Sequence, residues 1–351
     1  MTDAINIWEI LSQTLVWTYF TIAMIKMYVI MTNRNDLASI IVQFEKLWPK
    51  TVKTSVEKEI VEGYMMANHK WMSRYAYLSI SCFFVVNTTP IILTIYKLIL
   101  GEKPERLLPF VTWFPFNEYG KIAYPFTYIF LFYGSHVSSA ASICYDSLFC
   151  MLISHLCLQY KLLAEDLRNT VASTKNNTDT NEISSEERLR RGIERHQLLM
   201  EIRNKIDSIF TDVFFLNFSS STFNICIVGF LFVIQKGFAG KVKFVMMLLT
   251  LLAQIFLLCW YGQEVVDNSS AISDAVYDCK WYCSSQRFRK MIIYMIHHSQ
   301  IPQKLFALKF WEITLYSFSN LLKASWSYFA LLNTVLEERY LGIHPKGGLL
   351  T

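Results

Sequence analysis

Histidine and cysteine side chains that could bind a metal or serve in catalysis occur together at two places in the sequence. His297 and His298 are adjacent, but the repeated His-x-x-His-His boxes of di-iron membrane enzymes are missing. Cys279 and Cys283 are four residues apart, which puts them on one face of a helix, but no second pair of ligands lies nearby in the sequence. Neither a Ser/His/Asp or Cys/His arrangement nor a Gly-rich phosphate loop stands out. The sequence therefore predicts neither an enzyme nor a metal site, and no cofactor is expected.

The composition is that of a membrane protein. Hydrophobic residues make up 53% of the 351 residues and charged residues only 17%, whereas roughly 25% is usual in soluble domains. The mean hydropathy is +0.29. Twelve glycines and eight prolines are few for this length, which favours long helices. The net charge of +5 is small, and we expect the lipid bilayer, and no nucleic acid, among the partners.

Six segments are long and apolar enough to cross a bilayer as helices, which needs about 20 residues each. The pattern predicts an all-α polytopic bundle with spans at about 8–31, 75–100, 124–158, 206–234, 242–261 and 314–336.

Several of these helices are predicted to continue beyond the membrane, because their pattern changes from uniformly apolar to amphipathic. The predicted extensions cover about 158–170, 187–205 and 263–313 and together form a helical domain on one side of the membrane. The polar segment 171–186 between them reads as a flexible loop.

The distribution of Lys and Arg predicts the orientation. Most of them lie in the three large loops after the first, third and fifth spans, which places those loops in the cytosol. Both ends of the chain as written are then outside. An outside amino terminus without a signal peptide is unusual, so we expect that a first transmembrane helix precedes this sequence in the complete protein.

The carboxyl-terminal third carries the most specific pattern, between Gly262 and Val335. A Lys280-Trp281-Tyr282 step is followed by a basic patch at Arg289-Lys290 and by Pro302. The run then closes with LLKASWSYFALL over 321–332. In order and spacing this resembles the end of the insect odorant receptor family, and a weaker resemblance covers almost the whole chain. On that alignment the preceding helix would be the first of the family's seven.

The gustatory receptors, which are related, end differently. Their closing motif aligns with Ser327, Tyr328, Thr334 and Val335, and three of these four residues differ from it. The odorant branch is therefore favoured, and a gustatory-type chemoreceptor channel remains the alternative. A membrane enzyme or a transporter is less favoured, since no paired, broken spans of two similar halves are visible. A G-protein-coupled receptor is disfavoured by the predicted topology.

The resemblance implies a function. Members of the family are multi-pass proteins of the plasma membrane in sensory neuron dendrites. They form ligand-gated, non-selective cation channels, as heterotetramers of an odorant-tuning subunit and a shared co-receptor. The last helix lines the pore. By this resemblance Leu331 and Val335 would form a hydrophobic gate that closes by dewetting, with ordinary packing or lipid contact as the alternative, and Thr334 would place a hydroxyl beside it. Lys323 would face the inner vestibule or a neighbouring subunit, or would extend towards the inner membrane surface.

The resemblance also implies a binding site for volatile small molecules in the outer half of the bundle, where an apolar, aromatic cavity is expected. Residues at that depth in the first four spans are the candidates, with ordinary packing as the alternative for each: Val16, Tyr19, Phe20, Phe84, Asn87, Thr88, Phe132, Tyr133, His136, Phe218 and Thr222. The aromatic, proline-containing loop 106–119 would cover that site. The sequence does not indicate which odorant binds.

Overall fold

Eight α-helices make up most of the structure, a computed structural model that describes residues 2–48, 55–101, 106–110, 112–171, 185–235 and 237–341. The helices are α1 (Thr2–Thr32), α2 (Arg34–Leu47), α3 (Ser55–Ile99), α4 (Ala123–Arg168), α5 (Ser185–Ile234), α6 (Phe238–Tyr277), α7 (Gln286–Ser299) and α8 (Leu315–Leu341). Two short strands, β1 (Phe306–Ala307) and β2 (Trp311–Glu312), pair antiparallel between α7 and α8.

The predicted all-α membrane bundle is confirmed. By length and apolarity, α1, α3, α4, α5 and α6 of the described chain can each cross a membrane. They correspond to the first five predicted spans. The sixth predicted span forms α8, which is helical but is not among those five. Serines, Asn320 and Lys323 interrupt its apolar run.

Most of the helices that can cross a membrane are longer than the bilayer is thick. Helix α4 has 46 residues and α5 has 50, which at 1.5 Å per residue gives roughly 70 Å each. The sequence did not predict that α3 begins as early as Ser55, nor that α2 forms a helix of its own. Helix α2 is amphipathic and buries Leu37, Ile40 and Phe44.

The helices share a densely packed apolar core that includes both predicted spans and their extensions. Buried side chains of α2, α4, α5, α6 and α7 form one continuous apolar cluster. At its centre, the rings of Phe149 and Phe214 meet edge to face with centroids 4.7 Å apart, and Phe210 lies 5.3 Å from Phe149. Apolar burial from water can drive the packing of the extensions, whereas inside lipid the helices must associate by close packing and polar contacts.

The prediction of helix throughout 263–313 was wrong in its last part. Helix α6 continues to Tyr277, and a short 3-10 turn leads into α7, but the chain after Ser299 is not helical. Pro302 disfavours helix there, and Leu308 and Lys309 have φ values of 49° and 62°, which turn the chain between β1 and β2. The backbone then enters α8.

Helix α8 joins the bundle through a backbone contact with α6. A Cβ atom built on Gly262 would overlap the carbonyl oxygen of Ile313 and also contact its side chain. Only a glycine lets the two backbones approach this closely. Along its length α8 also packs on α5, where Phe223 and Tyr328 stack with centroids 6.0 Å apart.

Candidate functional site: a cavity between five helices

A cavity of about 200 Å³ lies between α1, α3, α4, α5 and α6. Each of these helices contributes lining residues, and Phe110 of the loop between α3 and α4 adds one more. The lining runs along each helix for several turns. On α6, for example, it extends from Lys243 to Gln254, which is about 16 Å at the helical rise. The cavity is therefore elongated along the bundle.

The end of the cavity that contains Lys26, Tyr75 and Gln254 is called the floor. Lys26 of α1 lies 2.8 Å from Asp146 of α4, and the two side chains are only 1% and 4% exposed. The hydroxyl of Tyr75 donates to the second carboxylate oxygen at 2.7 Å, and the amide of Gln254 donates to the same oxygen at 2.6 Å. One carboxylate thus joins four helices, and its charge is balanced by a cation.

Two buried polar atoms of the cavity lining have no partner among the described residues, the Ser79 hydroxyl and the Asn217 amide nitrogen. The amide nitrogen of Asn217, on α5, is buried and makes no hydrogen bond, and Asn217 lines the cavity. A buried donor without a partner costs roughly 1–3 kcal/mol. An acceptor atom of a bound molecule would remove that cost.

The opposite end, called the roof, contains Lys243, Phe110 and Phe244. The ammonium of Lys243 donates to the carbonyl oxygen of Pro109 at 2.7 Å and lies 5.7 Å from the ring centroid of Phe110. The Phe110 ring in turn meets Phe20 edge to face at 6.4 Å. The loop between α3 and α4 therefore closes this end.

Hydroxyl and amide groups line the middle of the cavity. Tyr19 and Ser139 share a hydrogen bond of 2.7 Å between α1 and α4. The Ser135 hydroxyl donates to the side-chain oxygen of Asn87 at 3.2 Å, and the Tyr128 hydroxyl donates to the Asn87 carbonyl oxygen. Apolar side chains fill the space between these groups, and they include Val16, Phe83, Val86, Met247 and Leu251. A mostly apolar cavity with a few fixed polar groups is the usual form of a small-molecule site.

Four of the eleven predicted ligand residues line this cavity: Val16, Tyr19, Phe20 and Asn87. The other seven do not. Phe84, Phe132 and Tyr133 are exposed on the outside of the bundle, and so is His136, which contacts Phe83. Thr88 is half-buried and donates to the Phe84 carbonyl oxygen. Phe218 stacks on Trp311 behind the cavity, and the Thr222 hydroxyl donates to the Phe218 carbonyl oxygen.

The charged members of the cavity were missed from the sequence. Lys26 and Asp146 both lie inside apolar spans, and ionisable residues in such places usually have a partner or a function. A charged residue within an apolar span could therefore have indicated both residues from the sequence. Lys243 is the second residue of the predicted fifth span, 242–261, and was not proposed as a site residue, although its side chain lines the cavity.

Three of the four predicted pore residues lie on a face of α8 that the other described residues leave uncovered. Leu331 is 62% exposed, and Lys323 and Thr334 are also exposed. The Thr334 hydroxyl donates to the Ala330 carbonyl oxygen at 3.0 Å. The side chain of Val335 falls outside the described residues.

The other candidate sites have fewer free polar groups or fewer possible ligands. A second cavity of about 360 Å³ lies between α3, α4 and α6, and its polar groups already bond one another, such as Tyr64 to Glu264 at 2.6 Å. Cys279 is buried as a free thiol, and the side chain of Cys283 is outside the described part. Within that part, no three His, Cys, Asp or Glu side chains come together as a metal site would need.

These features define a class of protein: a multi-pass helical membrane protein with a mostly apolar cavity between its spans. The family model of the 7tm odorant receptors matches residues 6–326. The chain therefore belongs to the odorant receptor family, which confirms the family predicted from the carboxyl-terminal pattern and a receptor rather than an enzyme.

Similar proteins agree with this assignment. Putative odorant receptor 85d of Drosophila melanogaster is 29% identical over 88% of this chain and 74% of its own length. Odorant receptor 85c of the same species is 27% identical over 90% of this chain and 80% of its own length. The insect olfactory receptor OR5 from Machilis hrabei, solved in complex with eugenol, superimposes with a TM-score of 0.80 at 18% identity, over 94% of this chain and 82% of that one. This last likeness shows a shared fold.

Proposed function

We propose that this chain is an odorant-tuning receptor subunit that binds volatile small molecules in the five-helix cavity and gates a non-selective cation channel. The observation that carries the proposal is the cavity itself, in a chain that belongs to the odorant receptor family. Its apolar walls suit volatile molecules, and its few polar groups can orient them. The structural relative from Machilis hrabei was solved with the small molecule eugenol.

The pore belongs to α8 in this proposal. The uncovered face with Lys323, Leu331 and Thr334 is available to neighbouring subunits and to the pore axis. Leu331, together with Val335 one turn further on, would close the pore by dewetting. Lys323 lies eight residues before Leu331 and would face the inner vestibule, since a charge in a span needs water or a partner.

The assembly is proposed to be a heterotetramer with the odorant co-receptor in the plasma membrane of sensory neuron dendrites. The exposed aromatic side chains on α8 support an interface between subunits. Tyr316 and Trp326 are 75% and 70% exposed, and large aromatic groups are enriched where proteins meet.

Current recording from cells that lack other odorant receptors tests the function. The chain is co-expressed with the co-receptor, and a panel of volatiles is applied with G-protein signalling blocked. We expect cation currents that require both subunits and differ from those of the co-receptor alone. Surface-labelled receptor that gives no current with any volatile, or a current that disappears with the G-protein block, would refute the proposal.

A pair of matched substitutions tests the location of the site. Val16 lines the cavity, while Val137 on α4 is on the outside of the bundle. Val16→Trp fills the cavity and should abolish or strongly reduce responses at unchanged surface level. Val137→Trp adds the same group outside and should leave responses close to wild type. Equal effects of the two variants would place the ligand elsewhere.

A further inference from the structure

The Lys243 ammonium at the roof of the cavity has more hydrogen-bond donors than its described partners use. An ammonium has three donor hydrogens and no acceptor. Of these, Lys243 uses one on the Pro109 carbonyl oxygen, and in the described part of the chain it has no carboxylate within ion-pair distance. The side chain is partly buried and lines the cavity. Charges in such surroundings are normally paired.

No other group of the cavity supplies the missing negative charge. The charged residues among its lining are Lys26 and Lys243. Lys26 is neutralised by Asp146, whose two oxygens are already taken by Lys26, Tyr75 and Gln254. The described lining therefore carries one uncompensated positive charge, and that charge is at the roof.

The walls beyond Lys243 fit a hydrocarbon tail. Phe244, Met247 and Leu251 continue from Lys243 along α6, and Val16 and Phe83 face the cavity from α1 and α3. The lining extends about 16 Å from Lys243 to Gln254. At the floor, the unpartnered and buried amide nitrogen of Asn217 offers a second hydrogen-bond donor. The cavity thus offers donors at both ends and mainly apolar contacts between them.

We propose that the preferred ligands of this cavity are aliphatic carboxylic acids bound as carboxylates. The carboxylate accepts hydrogen bonds from the Lys243 ammonium at the roof, and the alkyl chain lies against the apolar walls. This assignment rests on the proposed function, because it names the ligand class of the same site. An ester or alcohol of equal chain length has the same apolar contacts and lacks the charge, so the ion pair alone separates the three classes.

Matched ligands and variants test the assignment in the receptor co-expressed with its co-receptor. The probes are straight-chain acids of four to eight carbons, each with its methyl ester and its alcohol. Loss of one partner of a desolvated ion pair typically weakens binding by about 30-fold or more. We therefore expect wild-type half-maximal concentrations for acids to be about 30-fold or more below those for the esters and alcohols.

The variants isolate the role of the charge. Lys243→Gln should remove most of the preference for acids while esters still evoke current, and Lys243→Arg should largely keep it. Lys241→Gln is the control, because Lys241 is exposed two residues earlier on the same helix and contacts Phe232 outside the cavity. This control should match wild type. Surface labelling accompanies each variant, and the Arg variant gives a folded reference if the Gln variant does not reach the surface.

The outcomes separate this assignment from the proposed function. A wild-type receptor that responds to esters or alcohols as well as to acids, or an acid preference that survives Lys243→Gln, overturns the carboxylate assignment and leaves the receptor function intact. A receptor at the surface that responds to no volatile of any class overturns the function instead.

Discussion

The two ends of the cavity both contain a lysine, but they use it differently. At the floor, Lys26 is in contact with Asp146, and Tyr75 and Gln254 complete the hydrogen bonds of the carboxylate. At the roof, Lys243 has a backbone carbonyl for a partner and spare donors. A saturated network holds helices in place, whereas an unsaturated one is available to a ligand. The network around Asp146 is therefore the structural part of the site, and Lys243 is the part that we propose selects the ligand.

The largest effect should follow from breaking the floor. Asp146→Leu leaves Lys26 buried without its partner, and such changes cost about 3–5 kcal/mol. We expect little receptor at the cell surface and a much lower melting temperature in detergent. The double variant Lys26→Met, Asp146→Leu removes both charges and should recover much of the loss. A single variant as stable as wild type would show that the floor pair does not hold the helices.

A smaller effect on stability, of opposite sign for two asparagines of α5, tests the distinction between groups with hydrogen-bond partners and groups without them. Asn217→Leu removes a buried donor without a partner, so stability should stay the same or rise by up to about 1–3 kcal/mol. Asn224→Leu is the matched control on α5. Its side-chain oxygen accepts from Thr18 at 3.0 Å, and its loss should lower the melting temperature. If both variants lose stability equally, the Asn217 amide has a partner after all.

Between the two ends, Tyr19→Phe removes only the 2.7 Å hydrogen bond to Ser139. If the loss is felt in ligand binding, the free energy of binding should change by about 0.5–1.5 kcal/mol. That change corresponds to less than about 13-fold in half-maximal concentration. Dose-response curves for Tyr19→Phe, Ser139→Ala and the double variant measure it. The double variant should add little to either single one, and full additivity would mean that the two hydroxyls act independently.

The smallest effect is expected outside the cavity, at a buried histidine that does not line it. His196 lies on the extension of α5 beyond the predicted span, and burial, with a minor contribution from His298, lowers its pKa. The unfolded chain therefore takes up the proton first as pH falls below about 6.5, and stability declines with falling pH. Melting temperatures at pH 7.5 and 5.5 should differ more for wild type than for His196→Gln. His69→Gln, at an exposed position, should behave like wild type.

The sequence could predict the bundle better than the cavity, for physical reasons. Apolar length alone identifies a span, and the change to an amphipathic period placed the end of α4 within a residue or two of Arg168. Helices that are apolar all round give no sign of which face points inward, so Phe132 and Tyr133 were assigned to the cavity and lie outside it. The Lys26–Asp146 pair joins residues 120 positions apart, and spacing along one helix cannot reveal such a pair.

The contact of Gly262 with Ile313 has a mechanical consequence. It holds the start of α8 close against α6, so a tilt of α8 that slides over its contacts with α5 would turn about a point near Ile313. Leu331 lies 18 residues beyond Ile313, about 27 Å along a helix. At that arm length a tilt of ~5° carries Leu331 through roughly 2 Å. If α8 lines the pore as proposed, a displacement that hardly moves the start of the helix would therefore change the width of the pore at Leu331.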